Sequence, residues 1–238
     1  MRTALIFLLA LSGAVAAVPP TTFTFSAGNA GAINGTQIRA VTIDAAGNTY
    51  LTGNIDTPAL SVTPNAIQSS LVPSSCPGDL GDGQCNDAFI VKLDPSGNVL
   101  YATYLGGSGD DYGTAIAVDA QGNIYVAGFS YNDEATGSGV PFPVIPGAVF
   151  TTFDPKAEAV GFIVKVNPAG QLLYSTYLPI TTESGINPVT MAIDSAGNAY
   201  VALTYNPVGT PFPTTPGAFQ SAPAATITVG QVFPSSPS

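Results

Sequence analysis

Hydrophobic and polar positions along this chain form short apolar segments separated by polar turns that contain glycine. Residues 89–93 (FIVKL) and 99–105 (VLYATYL) are largely apolar, and DPSGN at 94–98 separates them. In such a turn the aspartate accepts hydrogen bonds from nearby amides, proline restricts φ, and glycine adopts the positive φ that reverses the chain. This pattern predicts a β-hairpin, and strands at 40–43 and 49–52 around DAAGN predict another.

Both hairpins return at a fixed interval. IDAAGNTY at 43–50 recurs as VDAQGNIY at 118–125 and as IDSAGNAY at 193–200, which places Asp44, Asp119 and Asp194 75 positions apart. The second hairpin recurs at 162–178. A constant period indicates one structural unit that is repeated and stacked. Each complete unit contains four predicted strands, enough for a small antiparallel sheet.

Several predicted strands are apolar on both faces, as in IYVA at 124–127 and FIV at 162–164. A sheet with one face in water alternates apolar and polar residues, so two apolar faces indicate a sheet packed between similar sheets. We therefore expect an all-β fold of propeller-type blades, each of four antiparallel strands. A β-solenoid also stacks repeats, but its repeats are usually much shorter than the period found here.

A third repeated element lies between the two hairpins of a unit. PFPVIPGAVF at 141–150 matches PFPTTPGAFQ at 211–220, and SVTPNAIQ at 61–68 is a less regular copy. The prolines exclude a central strand, because proline cannot donate to the hydrogen-bond ladder. We expect an ordered crossing loop whose phenylalanine side chains fill a gap between blades.

The repeats divide the chain into blade units at about 40–112, 113–187 and 188–229, preceded by a strand at about 21–26. The repeat domain spans 18–220, and the tail at 221–238 is expected to be irregular. About three blades are fewer than the four to eight of closed propellers, so we expect an incomplete ring. Three explanations remain open: the chain is the front part of a longer protein, it completes a ring by self-association, or its terminal strands close a small assembly.

Residues 1–17 have the pattern of a secretory signal peptide. Arg2 precedes an apolar segment at 4–11, and small residues allow cleavage after Ala16 or Ala17. A retained membrane anchor is the alternative. No later segment approaches the roughly 18 apolar residues of a membrane helix, so no span is expected after cleavage. We expect a secreted protein, located outside the cell or in the cell envelope.

The charge pattern excludes one class of partner. The net charge is −10, and the chain contains only five lysine and arginine residues. Nucleic-acid binding requires clustered basic residues that displace counterions from phosphates. We therefore expect no nucleic-acid partner.

Cys76 and Cys85 form a close pair, which in an exported chain predicts a disulfide. Carboxylates are concentrated around this pair and in a glycine-rich linker further along the chain. Because carboxylate oxygens bind Ca²⁺, they are candidate ligands: Asp79, Asp82, Asp87, Asp110 and Asp111. The alternative is a stapled surface loop and a solvated connector. No other metal or cofactor is expected, because the chain has no histidine and no second cysteine pair.

The repeated polar residues of the first hairpin are expected to hold its turn rather than to bind a ligand. They are Asp44, Gly47, Asn48, Asp119, Gly122, Asn123, Asp194, Gly197 and Asn198. Lys92 and Lys165 recur within apolar strands, so we expect each to pair with a repeat aspartate or a turn carbonyl. A second recurring set either packs within and between blades or offers stacking faces to sugars. That set is Tyr101, Tyr104, Tyr174 and Tyr177.

The motifs D-x-x-G-N-x-Y-V-x-G, P-F-P-x-x-P-G-A-F, F-I-V-K-L-D-P-S-G-N and Y-x-T-Y-L-G-G-S-G-D-D together resemble the bacterial β-propeller repeat family known as SBBP repeats. The resemblance covers roughly 22–220 and is best at 88–150. It implies an exported protein of propeller blades with no assigned chemistry. The chain departs from the pattern where residues 178–183 lack the glycines and aspartates of LGGSGDD at 105–111, and where the third copy stops after 220.

These observations favour a binding protein over an enzyme. Without histidine, a Ser-His-Asp triad is excluded, and no motif supplies a substitute base. We expect a non-catalytic scaffold or binding module that presents its loops to a protein or a glycan. The alternative is the non-catalytic N-terminal part of a larger secreted enzyme or adhesin.

Overall fold

A computed structural model describes residues 4–6, 23–25, 36–73, 76, 84–131, 139–152, 159–182, 189–203, 216 and 229–233. Within these residues the chain forms strands and connecting loops and contains no helix, which confirms the all-β prediction. The strands are β1 (Ala4–Ile6), β2 (Phe23–Phe25), β3 (Gln37–Ile43), β4 (Thr49–Ile55), β5 (Asp87–Leu93), β6 (Val99–Leu105), β7 (Asp111–Val118), β8 (Ile124–Tyr131), β9 (Ala159–Val166), β10 (Leu172–Thr182), β11 (Thr190–Ile193), β12 (Ala199–Leu203) and β13 (Val229–Phe233).

The strands form three successive antiparallel sheets, which we call blades 1, 2 and 3. Blade 1 has the order β3-β4-β5-β6, and blade 2 has β7-β8-β9-β10. Blade 3 has three described strands in the order β11-β12-β13. In each blade, neighbouring strands in space are also neighbours in sequence, as in the blade of a propeller. The described part of the chain does not close into a ring.

The hairpins form where the turn chemistry predicts them. Gly47 and Gly97 have φ of 85° and 88°, a conformation that side chains with a β-carbon rarely adopt. In the turn between β3 and β4, the Asp44 amide donates to the Asn48 carbonyl at 3.0 Å, which closes the hairpin. β6 has the predicted bounds, whereas β3 begins three residues earlier than expected.

The blades pack face to face through apolar side chains. One core cluster joins blades 1 and 2, a second joins blades 2 and 3, and a third covers the other side of blade 1. β7 contacts β3, β4 and β11, so the first strands of successive blades lie next to one another. The expectation that strands with two apolar faces lie between similar sheets is confirmed.

The crossing loop of blade 2 fills the gap that the sequence predicts. Phe142 is buried in the cluster between blades 1 and 2, and its ring stacks on Phe162 with centroids 4.3 Å apart. The copy in blade 1 makes equivalent backbone contacts: Tyr104 donates to the Gln68 carbonyl, and Tyr177 donates to the Phe150 carbonyl. Most of the third copy, at 211–220, lies outside the described residues.

Two expectations about the chain ends need correction. The third strand of blade 3 is β13 (Val229–Phe233), which pairs with β12 and lies inside the tail that was expected to be irregular. The third unit is predicted to end at about 229, so β13 extends that unit by four residues, because an existing sheet edge can order a segment with few signals of its own. β2 (Phe23–Phe25) pairs with β1 (Ala4–Ile6) in a separate two-stranded sheet, not with a blade. The rest of the leader lies outside the described residues.

Candidate functional site

The repeated aspartates bond to their own turns. Asp44 Oδ1 accepts hydrogen bonds from the amides of Ala46 and Asn48, both at 2.9 Å. Its Oδ2 accepts from Asn48 Nδ2 at 2.7 Å and from the Tyr50 hydroxyl at 2.8 Å. Burial opposes ionisation of Asp44, but these donors outweigh it and hold the pKa of Asp44 below its usual value. A carboxylate with both oxygens engaged in this way stabilises the hairpin.

The other two repeats have the same geometry. Asp119 accepts from the amides of Gln121 and Asn123, and Asp194 accepts from those of Ala196 and Asn198. In both turns, the asparagine side chain and the tyrosine hydroxyl bond to the second carboxylate oxygen. The arrangement occurs three times because all its partners lie within six positions of the aspartate.

The two repeated lysines lie over tyrosine rings. Lys165 Nζ is 3.9 Å from Asp119 Oδ2 and 4.9 Å from the centroid of the Tyr125 ring. Lys92 Nζ lies 5.2 Å from the centroid of the Tyr50 ring. The predicted pairing with a repeat aspartate is confirmed for Lys165, whereas Lys92 contacts the Tyr50 ring. Both lysines therefore take part in the packing of their own blades.

Tyrosine hydroxyls link one blade to the next. The Tyr125 hydroxyl in blade 2 has two acceptors within reach of its single proton, Asp119 Oδ2 at 3.1 Å and the Gly197 carbonyl in the first turn of blade 3 at 3.2 Å. Tyr101 in blade 1 is close to the Gly170 carbonyl in the second turn of blade 2, at 3.4 Å. Burial raises the pKa of Tyr101 to about 12. These hydroxyls stay protonated at ordinary pH and can donate across the interface.

A different group of aspartates meets where blade 1 joins blade 2. Asp110 Oδ1 accepts from the Asn86 amide at 2.7 Å and from Asn86 Nδ2 at 2.9 Å. Asp111 Oδ2 accepts from the Gly107 amide at 2.6 Å, and Asp87 Oδ2 accepts from the Val72 amide at 3.0 Å. These contacts connect the residues on either side of the Cys76–Cys85 loop with the start of β5 and with the linker into β7.

Asp87 and Asp111 are both 0 % exposed and lie next to each other. A β-carbon added to Gly106 would lie 2.6 Å from Asp87 Oδ1 and 2.8 Å from Asp111 Oδ2, so only glycine fits between the two carboxyl groups. Burial raises the pKa of Asp87 to about 7, and the charge of Asp110 adds to the shift. Burial, with the charges of Asp87 and Asp110, raises the pKa of Asp111 well above its usual value.

The Oδ1 atoms of both buried aspartates have no hydrogen-bond partner among the described residues. A buried carboxylate that lacks donors is costly, whereas a protonated carboxyl group loses its charge and gains a donor. Burial therefore favours the protonated form of both carboxyl groups more than it would for an exposed aspartate. We call Asp87 and Asp111 the buried acid pair.

The Ca²⁺ candidates are brought together only in part. The structure places Asp87, Asp110 and Asp111 at one junction, while Asp79 and Asp82 lie outside the described residues. Within the described ranges, no three histidine, cysteine, aspartate or glutamate side chains form a group that could hold a metal ion. Cys76 and Cys85 form a disulfide with their Cα atoms 5.1 Å apart. The disulfide joins the two ends of the segment that directly precedes Asn86.

Sequence reasoning missed the polar side chains that continue from this junction across blade 1. Arg39 Nε donates to Asn54 Oδ1 at 2.7 Å, and Asn54 Nδ2 donates to Asn86 Oδ1 at 2.9 Å. With Asp110 these residues form a chain of four polar groups. An asparagine in the apolar β4 is the signal that points to it, because a buried amide requires partners.

The four recurring tyrosines that could offer stacking faces to sugars are part of the packing. Tyr101, Tyr104 and Tyr177 are buried, and Tyr174 packs against the cluster between blades 2 and 3. The packing interpretation is confirmed for this set.

No helix in the described part of the chain has the length and apolarity needed to cross a membrane.

Comparison with known proteins agrees with the geometry. Residues 100–133 match the family model of the SBBP beta-propeller repeat. The chain is also 29% identical over 192 residues to an uncharacterized WD repeat-containing protein of Acanthamoeba polyphaga mimivirus. That match covers 74% of this chain and 13% of the viral protein, so the chain corresponds to a small part of that relative.

Proposed function

We propose, from the premise that this chain carries a β-propeller repeat of the SBBP family, that it is an exported, non-catalytic scaffold that binds another protein outside the cell. Two features of the sequence support export: the signal-like segment at residues 1–17 and the Cys76–Cys85 disulfide.

The observation that carries the proposal is the use of the repeated polar residues. Asp44, Asp119 and Asp194 bond to their own turns, and Lys165 pairs with Asp119. The residue types that recur, and that a repeated active site would use, are thus engaged in folding and stacking. Loops that differ between repeats remain for recognition, as is common where a rigid scaffold presents variable loops.

The proposed partner is a protein rather than a glycan. Sugar binding by this chain was expected to use Tyr101, Tyr104, Tyr174 and Tyr177, and the packing removes these rings from solvent wholly or in part. Exposed aliphatic side chains remain at the crossing loop of blade 2: Val149 lies within the loop and Val140 directly precedes it. Exposed apolar side chains at a loop support a protein surface as the partner.

A second candidate is that the chain is the non-catalytic N-terminal part of a larger secreted enzyme or adhesin. The match to 13% of a longer repeat protein favours this candidate. The reading frame after Ser238 distinguishes the two: further repeats or an added domain select the larger protein.

Export is tested by expressing the chain in a bacterium and analysing the medium and envelope fractions by intact mass. We expect a product that begins after Ala16 or Ala17 and has no free thiol to alkylate. The matched control carries Leu8→Arg and Leu9→Arg in the apolar segment and should stay uncleaved inside the cell. A wild-type product that keeps residues 1–17 and two free thiols in the cytoplasm would contradict the proposal.

The choice of partner is tested separately with the purified exported chain. A glycan array should show no binding above that of a heat-unfolded sample. Reproducible binding to one class of glycan would overturn the protein-partner proposal while leaving export intact.

A further inference from the structure

The two blade interfaces in the structure follow one rule. Each blade has a following face, which contacts the next blade, and a preceding face, which contacts the blade before it. The following face contains the tyrosine after the first turn: Tyr50 packs between blades 1 and 2, and Tyr125 packs between blades 2 and 3. The preceding face contains cross-strand pairs on the other side of the sheet. The pair in blade 1 is Leu51 with Val41, and the pair in blade 2 is Val126 with Ile116.

Loop residues such as Leu60 cover part of the preceding face of blade 1, where Leu51 is buried, but the rest of this face exposes side chains whose equivalents in blade 2 are covered. Val41 is 45% exposed, whereas Ile116 at the same position in blade 2 is 8% exposed. Ile43 and Val99, which share this face with Leu93, are also exposed. Their equivalents in blade 2, Val118 and Leu172, pack against the cluster between blades 1 and 2.

The following face of blade 3 differs in the same way from that of blade 2. Tyr200 is 43% exposed, whereas Tyr125 is 3% exposed. The two tyrosines have the same local setting, since each hydroxyl donates to the aspartate of its own turn. Tyr125 has a further acceptor, the Gly197 carbonyl of the next blade. The difference between them is therefore the presence of a following blade.

We propose that these two open faces bind each other between two copies of this chain, with blade 3 of one copy stacked on blade 1 of its partner. The pairing continues an interface that the molecule already uses twice. It places the Tyr200 hydroxyl of one copy on the Gly47 carbonyl of the other, as Tyr125 is placed on Gly197. A second copy carries both complementary faces, which makes it the occupant that these observations favour.

The arrangement is head-to-tail, and two copies form two identical contacts. Such contacts generate a ring when the rotation between subunits closes. The described residues of each copy form three stacked sheets, so the described parts of two copies bring six, a number within the range of four to eight found in closed propellers. The inference goes beyond the proposed function, since it concerns assembly and not export or the external partner.

Charge sets the conditions under which the association is strongest. Each copy has a net charge of −10, so two copies repel each other at long range. Raising the salt concentration from about 0.01 M to about 0.15 M shortens the screening length from about 30 Å to about 8 Å. Because the two faces meet through apolar side chains, we expect salt to strengthen the association.

The experiment is light scattering coupled to size exclusion on the purified full chain, at concentrations up to about 1 mM, where contacts as weak as a millimolar dissociation constant are populated. We expect twice the mass of a single chain. Val41→Asp and Tyr200→Asp should each give the mass of one chain. The matched control is Leu173→Asp, an exposed apolar position on the outer strand of blade 2, and it should keep the double mass.

Mixing the two variants separates head-to-tail pairing from other modes. The V41D copy retains a normal blade 3, and the Y200D copy retains a normal blade 1, so an equal mixture should regain association through one interface per pair. Far-ultraviolet circular dichroism on each variant confirms that it is folded. A second variant is Val41→Thr, whose side chain keeps the branched shape of valine but carries a hydroxyl group. It should weaken association by less than V41D does.

Three results would overturn the inference. The first is a wild-type mass of one chain at every concentration and salt. The second is a double mass that folded Y200D preserves. The third is an equal mixture of folded V41D and Y200D that shows no association while the wild type does. None of these results bears on export, so assembly and the proposed function can fail independently.

Discussion

The aspartates of the repeated turns and the aspartates of the first blade junction have opposite environments in the same molecule. Hydrogen bonds from Asn198 and from nearby amides lower the pKa of Asp194. Hydrogen bonds from Asn98 lower the pKa of Asp94 in the same way. Burial raises the pKa of Asp87 and of Asp111. One residue type therefore serves as an ionised acceptor in one region and as a proton-binding group in the other.

The difference follows from where the partners come from. A turn aspartate finds its donors within six positions of itself, so the same bonds form wherever the motif occurs. The buried acid pair depends on contacts between segments that are far apart in sequence, such as Val72 with Asp87 and Asn86 with Asp111. Local motifs thus produce repeated structure, and a junction between blades produces an environment that occurs once.

The largest expected effect is the loss of a turn aspartate. Asp119→Ala removes four hydrogen bonds and the ion pair with Lys165, and the Asp119 side chain is only 5% exposed. We expect the free energy of unfolding to fall by about 2–3 kcal/mol, because several charge-assisted bonds are lost together. Urea denaturation followed by circular dichroism measures the change.

Asp94→Ala is the matched control for that substitution. Asp94 accepts the same three turn hydrogen bonds while exposed to solvent, from the amides of Ser96 and Asn98 and from Asn98 Nδ2. Asp94→Ala should therefore lower the free energy of unfolding by less than Asp119→Ala does. Equal decreases for the two substitutions would show that contacts beyond the turn contribute nothing to stability.

The next effect concerns the pH dependence of the buried acid pair. Burial raises the pKa of Asp87 in the folded state to about 7, from an ordinary aspartate value of 3.8, and it also raises the pKa of Asp111. A raised pKa stabilises the fold below the unfolded value and loses that contribution as pH rises through the folded value. Stability should therefore decline between about pH 4 and pH 7 and remain lower above it.

Asp111→Asn removes one charge from the pair and should flatten this profile. At pH 8 we expect the variant to be more stable than the wild type by about 1–2 kcal/mol, and at pH 4 we expect little difference. The measurement is urea denaturation from pH 4 to pH 8. The control is Asp94→Asn. Because the pKa of Asp94 is lowered, its carboxylate stabilises the fold above the ordinary value of 3.8 and loses that contribution as the pH falls, which is the opposite sign. A D111N profile parallel to that of the wild type would contradict the assignment.

The smallest expected effect is that of calcium. Ca²⁺ requires six to eight oxygen ligands, and the described residues provide no three-carboxylate group of suitable geometry. We expect 1–10 mM Ca²⁺, far above the dissociation constants of most calcium-binding modules, to leave the melting temperature at pH 7 unchanged. Mg²⁺ at the same concentrations is the control for ionic strength. A rise specific to Ca²⁺ that D111N abolishes would instead assign the junction as a cation site.

The parts of the fold that could be predicted are those whose causes are local. The bounds of β6 follow from the turn at 94–98, since a proline and a positive-φ glycine restrict the chain there. Phe142 was placed between blades because prolines keep its loop out of the sheet while leaving the ring apolar. The disulfide was predicted from the spacing of two cysteines in a chain whose first residues resemble a signal peptide.

The candidate site was only partly predictable. Asp87 and Asp111 were selected as carboxylates, but a list of residues does not reveal that both are buried or that Gly106 separates them. The chain of polar groups from Arg39 through Asn54 was missed, because those residues become neighbours only when β3 and β4 pair and β5 joins them. β13 extends beyond the predicted end of the third unit because pairing with β12 orders its residues.

By itself, the sequence determined the turns, the hairpins and the presence of strands with two apolar faces, because these depend on hydrogen bonds and side-chain periodicity within a few residues. Tertiary structure alone decided which copies of a repeated residue lose contact with water. Tyr125 and Tyr200 share one motif and one local hydrogen bond, yet a neighbouring blade covers the first and leaves the second exposed. The same exclusion of water raises the pKa values of Asp87 and Asp111, since burial disfavours charge wherever packing removes solvent.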